Sequence, residues 1–228
     1  MIDYELEYID PDDIRDILVK VEKSFNIKFG NNELEHIVTF GELCDHIVDK
    51  IKLDLSGDCT TQQAFYKLRN AISSQLKIDA KTISTDFQLI DFLPRQNRRA
   101  IITEIEKHLG FKLNILRPPH CLTIAFLILL LASFVKLFFN WQIGLLWFAI
   151  SIGGLWVSNK TGNELDVRTI GQVAEKMTRE NYLKSRRNSK TFNKREIERV
   201  LVDLFSNDLG LDKSKLKREA KFYNIERE

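Results

Sequence analysis

Seven side chains in the 228-residue sequence are of the kinds that ligate soft metals, attack carbonyls or take protons near neutral pH: His36, His46, His108, His120, Cys44, Cys59 and Cys121. Their spacing brings none of them together. Cys44 and His46 stand two residues apart, which on a helix puts them on different sides and prevents a shared metal. Cys59 has no base near it in sequence, and His120-Cys121 opens a long apolar segment. No glycine-rich phosphate loop, paired carboxylates or Ser-His-Asp order is present. The sequence therefore predicts no enzyme, with no catalytic residue, no metal and no cofactor. Three cysteines, an odd number at irregular positions, fit free thiols in a reducing compartment.

The chemistry left is charge. Residues 1–58 carry 6 basic and 15 acidic groups, whereas the rest carry 28 and 17, so a formal net charge of only +2 hides a segregated chain. Asp10, Asp12, Asp13 and Asp16 gather at the start of one predicted helix. There they favour the helix dipole and could also dock a partner. Pro11 suits the first turn of that helix. Arg95, Arg98 and Arg99 form the opposite cluster at the start of a second helix, and Lys184–Arg195 holds six basic residues and no acid. Arg95, Arg98, Arg99, Lys184, Arg186 and Arg187 are candidates for contact with anionic lipid headgroups. For the later run the alternative is a solvated linker. Nucleic acid is disfavoured, because only Phe192 interleaves the basic residues. An apolar share of 44% excludes a wholly disordered chain.

Between these clusters lies a run that reads as a membrane hairpin. From Cys121 to Val157 only Lys136 is charged. Cys121–Phe139 and Asn140–Val157 each approach the ~20 residues that a spanning helix needs, with a tight turn around Phe138–Gln142. Lys136, Phe138, Phe139 and Trp141 would sit at the far interface and Trp156 at the near one. A buried soluble hairpin and a re-entrant one are the alternatives. Basic residues flank the hairpin on its outer ends (Arg95, Arg98, Arg99, Lys112 and Arg117 before, Lys160 and Arg168 after), which predicts both termini in the cytoplasm. Met1–Asp13 lacks the apolar run of a signal peptide.

The polar parts contain a repeat. Gln75–Leu89 aligns without a gap on Asp208–Phe222, pairing Leu76 with Leu209, Asp79 with Asp212, Ile83 with Leu216 and Leu89 with Phe222. Each segment follows an amphipathic helix with a capping-box start, Thr60-x-x-Gln63 and Asn193-x-x-Glu196. Ile17–Phe29 aligns on Ile101–Leu113, and Thr39-x-Gly41 on Thr169-x-Gly171, each Thr placed to cap a helix ending near Ile47 or Met177. The middle copy thus runs Thr61–Leu76, loop, Asn97–Leu109, hairpin, then Thr169–Met177. The other copy is split between the chain ends, Asp12–Lys50 and 194–224. It must be circularly permuted or completed by another chain.

Helix, a long loop with Leu209-Gly210-Leu211-Asp212 and Glu219-Ala220-x-Phe222, a helix ending Glu22-Lys23-Ser24-Phe25-Asn26-Ile27-Lys28-Phe29, then Thr39-x-Gly41-x-Leu43-x-x-x-Ile47, resembles an acyl carrier protein over most of the polar chain. The resemblance implies an all-α protein of small four-helix bundles plus the transmembrane hairpin. Its parts would be carrier-like helices 2 to 4 over 1–56, helix 1, loop and helix 2 over 57–117, the hairpin over 118–158, a final helix over 159–183, and a basic linker, helix and loop over 184–228. The family joins phosphopantetheine to a serine opening helix 2. The equivalent positions here are Pro11 and Arg95, and neither has a hydroxyl. What the resemblance then implies is a non-catalytic adaptor at a bacterial inner membrane, holding a cytoplasmic partner of acyl-chain or lipid metabolism through the aspartates. A carrier with another attachment residue and an oligomeric membrane scaffold, hence a homo-oligomer, are the alternatives.

Overall fold

The computed structural model describes Leu6 and residues 9–222; the outermost parts of the first and last expected segments, 1–5, 7, 8 and 223–228, lie outside the described residues. Among those described, ten α-helices dominate: α1 (Pro11–Phe25), α2 (Phe40–Lys50), α3 (Thr60–Leu76), α4 (Leu89–Phe92), α5 (Arg98–Leu109), α6 (His120–Phe139), α7 (Trp141–Thr161), α8 (Ile170–Glu180), α9 (Tyr182–Ser185) and α10 (Lys194–Leu209). Four two-residue strands, absent from the all-α expectation, tie segments together. Asp54–Leu55 (β1) runs parallel to Thr191–Phe192 (β4), and Leu116–Arg117 (β2) antiparallel to Glu164–Leu165 (β3). The chain divides into two units, Met1–Ile83 with Gly171–Glu228, and Ser84–Ile170.

Local rules explain the element boundaries. Asp10 accepts from the Asp12 amide at 2.9 Å, Pro11 occupies the first turn of α1, and Asn26, in the left-handed region at φ 50°, ends it. Thr39 and Glu42 form a complete capping box on α2. Both α2 and α8 run about a turn past Ile47 and Met177, where the repeat had predicted their ends.

In the first unit, α1, α2 and α10 share one core. Ile14, Ile17, Val21 and Phe25 of α1 pack with Leu43 and Ile47 of α2 and with Val200, Leu204 and Phe205 of α10. The rings of Phe40, Phe205 and Phe222 meet there at centroid distances of 5.3 to 6.4 Å. The two ends of the chain therefore close on each other, and α10 of the same chain fills the place that a neighbouring chain would otherwise take.

The aligned segments carry the same local hydrogen bonds. Ser73 and Ser206 hydroxyls donate to the Ile78 and Leu211 carbonyls, both at 2.7 Å. Asp79 and Asp212 cap equivalent 3-10 turns, accepting from Lys81 and Ser214 amides at 2.9 and 2.8 Å. Glu22 and Glu106 accept from the Phe29 and Leu113 amides at 2.6 and 2.7 Å. In one copy Phe222 N–H donates to Val38 and Phe40 N–H to Ala220; in the other Leu89 N–H donates to Arg168 and Ile170 N–H to Phe87. Gly41 is explained by that contact: a Cβ there would lie 2.9 Å from the Arg218 carbonyl oxygen.

The second unit holds the apolar hairpin. Its helices, α6 and α7, have 20 and 21 residues, and both are long and apolar enough to cross a membrane. α6 begins one residue before the predicted start and ends at the predicted Phe139, and α7 begins one residue later than predicted and runs on to Thr161. The chain turns at Asn140 alone, whose side chain caps α7 by accepting from the Ile143 amide at 3.3 Å. Ser133, Gly144 and Ser151 lie buried along the helix crossing. A Cβ on Gly144 would come within 2.7 Å of the Leu137 amide, so the approach needs a glycine. The outward faces are bare apolar surface, with Leu131 67% and Phe138 91% exposed.

Candidate functional site

The acidic cluster sits where capping rules place it. Asp12 pairs with Arg15 at 3.0 Å on the exposed face of α1, and Asp10, Asp13 and Asp16 also face solvent, while Ile14 and Ile17 point into the core. Pro11 occupies the first helical position, exposed and without a nucleophilic atom. Arg95 lies in the turn before α5, its guanidinium 2.5 Å from Glu164.

The basic residues divide into two sets, which corrects the reading of all six as surface contacts for lipid. Arg98 is buried, donating to the Leu93 carbonyl at 3.1 Å and the Asn163 carbonyl at 2.6 Å. It joins the start of α5 to the segment after α7. Arg186 is buried completely. Lys184–Arg195 is accordingly no solvated linker, because α9, the Arg186 side chain and β4 anchor it within the first unit. Arg95, Arg99, Lys184 and Arg187 remain exposed. Arg99 donates to the Lys160 carbonyl at the end of α7.

Around Arg186 lies a polar network that the sequence did not reveal. Arg186 Nη1 reaches Thr60 Oγ1 at 2.5 Å and the Asp58 carbonyl at 3.3 Å, and Glu196 Oε2 at 3.9 Å. Thr60 donates its hydroxyl to Glu196 at 2.6 Å and its amide to both carboxylate oxygens at 3.1 Å. The Tyr182 hydroxyl donates to Glu196 at 3.3 Å and accepts from the Asn193 amide at 3.0 Å. Burial pushes the Tyr182 phenol above its ordinary value. The capping-box expectation at Thr60 and Asn193 is revised accordingly. Cys59 holds the cap position of α3 without a side-chain bond, and the Glu196 carboxylate of α10 serves the first amide of α3 instead. Asn193 still caps α10, accepting from the Arg195 amide at 3.1 Å.

A second cluster surrounds Glu33. Its carboxylate accepts from the Gly30 amide at 2.6 Å, the Lys50 ammonium at 2.5 Å and His46 Nε2 at 2.7 Å. The Gly30 amide first, then Lys50 and His46, hold its pKa down at about 2. His36 stacks edge-on to His46 with ring centroids 5.7 Å apart. Cys44 is buried, and burial together with the nearby Glu198 and Asp45 charges pushes its thiol up to about 12. Cys59 and Cys121 are exposed. No group of three His, Cys, Asp or Glu side chains among the described residues is arranged to hold a metal ion.

These features define a mostly helical protein with two candidate membrane helices, a buried ionic network and an exposed acidic helix start. Comparison with known family models, curated proteins and solved structures finds no match to this chain.

Proposed function

We propose that the chain is a membrane-anchored, non-catalytic adaptor. In this reading α6 and α7 cross a bacterial inner membrane as a hairpin, both chain ends lie in the cytoplasm, and the acidic start of α1 docks a basic face of a protein partner. The repeated helical unit resembling an acyl carrier protein points to a partner of acyl-chain or lipid metabolism. Pro11 and Arg95, which lack a hydroxyl where such a unit would carry its prosthetic group, favour docking without acyl transfer.

The observation that carries this reading is the orientation of α1. Its apolar stripe is consumed by the core, whereas Asp12, Asp13 and Asp16 project outward on one helix, and Asp12 pairs with Arg15. Charged groups arranged in this way steer and select an oppositely charged partner. The test is co-purification of the full chain from native membranes after Asp12→Lys, Asp13→Lys and Asp16→Lys together. Loss of one defined partner while the variant still fractionates with membranes supports docking. Recovery of the same partners in unchanged amounts refutes it.

A further inference from the structure

Where α7 leaves its apolar stretch, the second unit has a cleft of about 770 Å³. Its walls hold three cations, Arg99 from α5, Lys112 from the segment after α5, and Lys160 from the last turn of α7. The one carboxylate among its lining side chains, Glu106, already accepts from the Leu113 amide at 2.7 Å and pairs with Lys112 at 3.1 Å. Neither Arg99 nor Lys160 has a carboxylate within ion-pair distance among the described residues. The Lys160 ammonium lies 4.8 Å over the Trp156 ring, and Arg99 is held by its bond to the Lys160 carbonyl. Ile102 and Ile115 supply an apolar floor beside Trp156.

We propose that this cleft binds the phosphate headgroup of one anionic membrane lipid. Three features select that occupant. The cleft opens on the final turns of a helix long and apolar enough to span, so a spanning α7 puts it at headgroup depth. Its excess positive charge comes from two side chains, Arg99 held by its bond to the Lys160 main-chain carbonyl and Lys160 set over the Trp156 ring. Trp156 and the isoleucines form an apolar wall, suited to glycerol and the first methylenes of an acyl chain, while a free phosphate would leave that wall wet. Trp at this depth is also the residue type that anchors a helix at the interface.

The inference rests on the hairpin crossing the bilayer, and the experiment separates the two. Purified full chain is reconstituted into vesicles of phosphatidylcholine with phosphatidylglycerol, floated, then extracted in mild detergent, and the retained lipid is counted by native mass spectrometry. The wild type should float and retain phosphatidylglycerol in preference to phosphatidylcholine. Each cation near an anionic surface contributes about fivefold, so Arg99→Gln with Lys160→Gln should cut the preference roughly 25-fold without changing flotation. Arg99→Lys should keep most of it. Lys107→Gln, an exposed cation of α5 that pairs with Glu104 and does not line the cleft, should leave it intact. Equal retention of both lipids by the wild type, or the same loss from Lys107→Gln, overturns the cleft. Displacement of the lipid by inorganic phosphate at matched ionic strength, with glycerol phosphate no better, overturns the choice of a lipid. A wild-type chain that fails to float refutes the spanning hairpin instead.

Discussion

Removing Glu196 should be among the most damaging single substitutions in the first unit. Its carboxylate is 7% exposed as a residue, and it is the only acid within ion-pair distance of the fully buried Arg186 among the described residues. Glu196→Leu leaves that guanidinium with the Thr60 and Thr191 hydroxyls, the Asp58 carbonyl and the distant Tyr182 hydroxyl, none of them charged. Breaking one side of a buried pair costs about 3–5 kcal/mol, because the other charge remains out of water. The first amide and the hydroxyl of Thr60 also lose their acceptor, adding about 1 kcal/mol for the lost cap. A total near 5 kcal/mol is a large part of the 5–15 kcal/mol typical of a folded protein. The assay is urea unfolding of the full chain in mild detergent, followed by helical circular dichroism. Replacing both partners, Arg186→Leu with Glu196→Leu, removes the stranded charge and should recover at least ~2 kcal/mol relative to the sum of the single changes. A loss under ~1 kcal/mol for Glu196→Leu, or strict additivity in the double variant, would refute the assignment of this network as a coupled ionic unit.

Two further outcomes follow from the titrating groups. Glu33 has a folded-state pKa lowered to about 2 from 4.5, so its contribution to stability is complete above the ordinary carboxylate value and is lost as pH falls through about 2. Glu33→Gln should therefore lower the urea midpoint at neutral pH and narrow its drop between about pH 5 and pH 3; an unchanged acid limb would count against the Gly30, Lys50 and His46 contacts. Cys44, with its thiol pushed up to about 12, should be only about one part in ten thousand thiolate at pH 8. A maleimide should label exposed Cys59 promptly and reach Cys44 only after unfolding; fast native labelling of Cys44 in a Cys59→Ser, Cys121→Ser background would contradict its burial.

What the sequence disclosed is local, and what it concealed depends on distant partners. A run from Cys121 to Val157 with one charge is visible without any knowledge of the fold, and so is the register that pairs Asp79 with Asp212. The recurring Ser73 and Ser206 hydrogen bonds span five residues each, which is why aligned sequence carried them. Arg186 could not be read this way. In a run of basic residues an arginine reads as solvated, and only Glu196, together with Thr60 at 126 positions' remove, makes its burial tolerable. Arg98 was misread for the same reason, since the Asn163 carbonyl that holds it lies 65 residues on, beyond the hairpin. The capping-box pattern at Asn193 was visible too, but pattern alone did not show that Glu196 would serve the start of a different helix.

The short ladder at its base also explains how the second unit can carry the apolar hairpin without losing its own order. Leu116 and Arg117, just before α6, pair antiparallel with Leu165 and Glu164, just after α7. Entry and exit therefore lie side by side, joined by that two-residue ladder. Insertions are tolerated where the flanking backbone already meets and its hydrogen bonds are satisfied. Arg98 strengthens the closure by donating to Asn163, as does Arg95 by pairing with Glu164. Past that closure the chain returns to the same contact that the uninterrupted copy makes: Gln88 bridges Thr169 as Lys221 bridges Thr39. A repeat that tolerates 48 residues between Arg117 and Asp166 yet restores this bridge has its register fixed by the Thr-x-Gly segment and its loop, with the connection between helices free to vary.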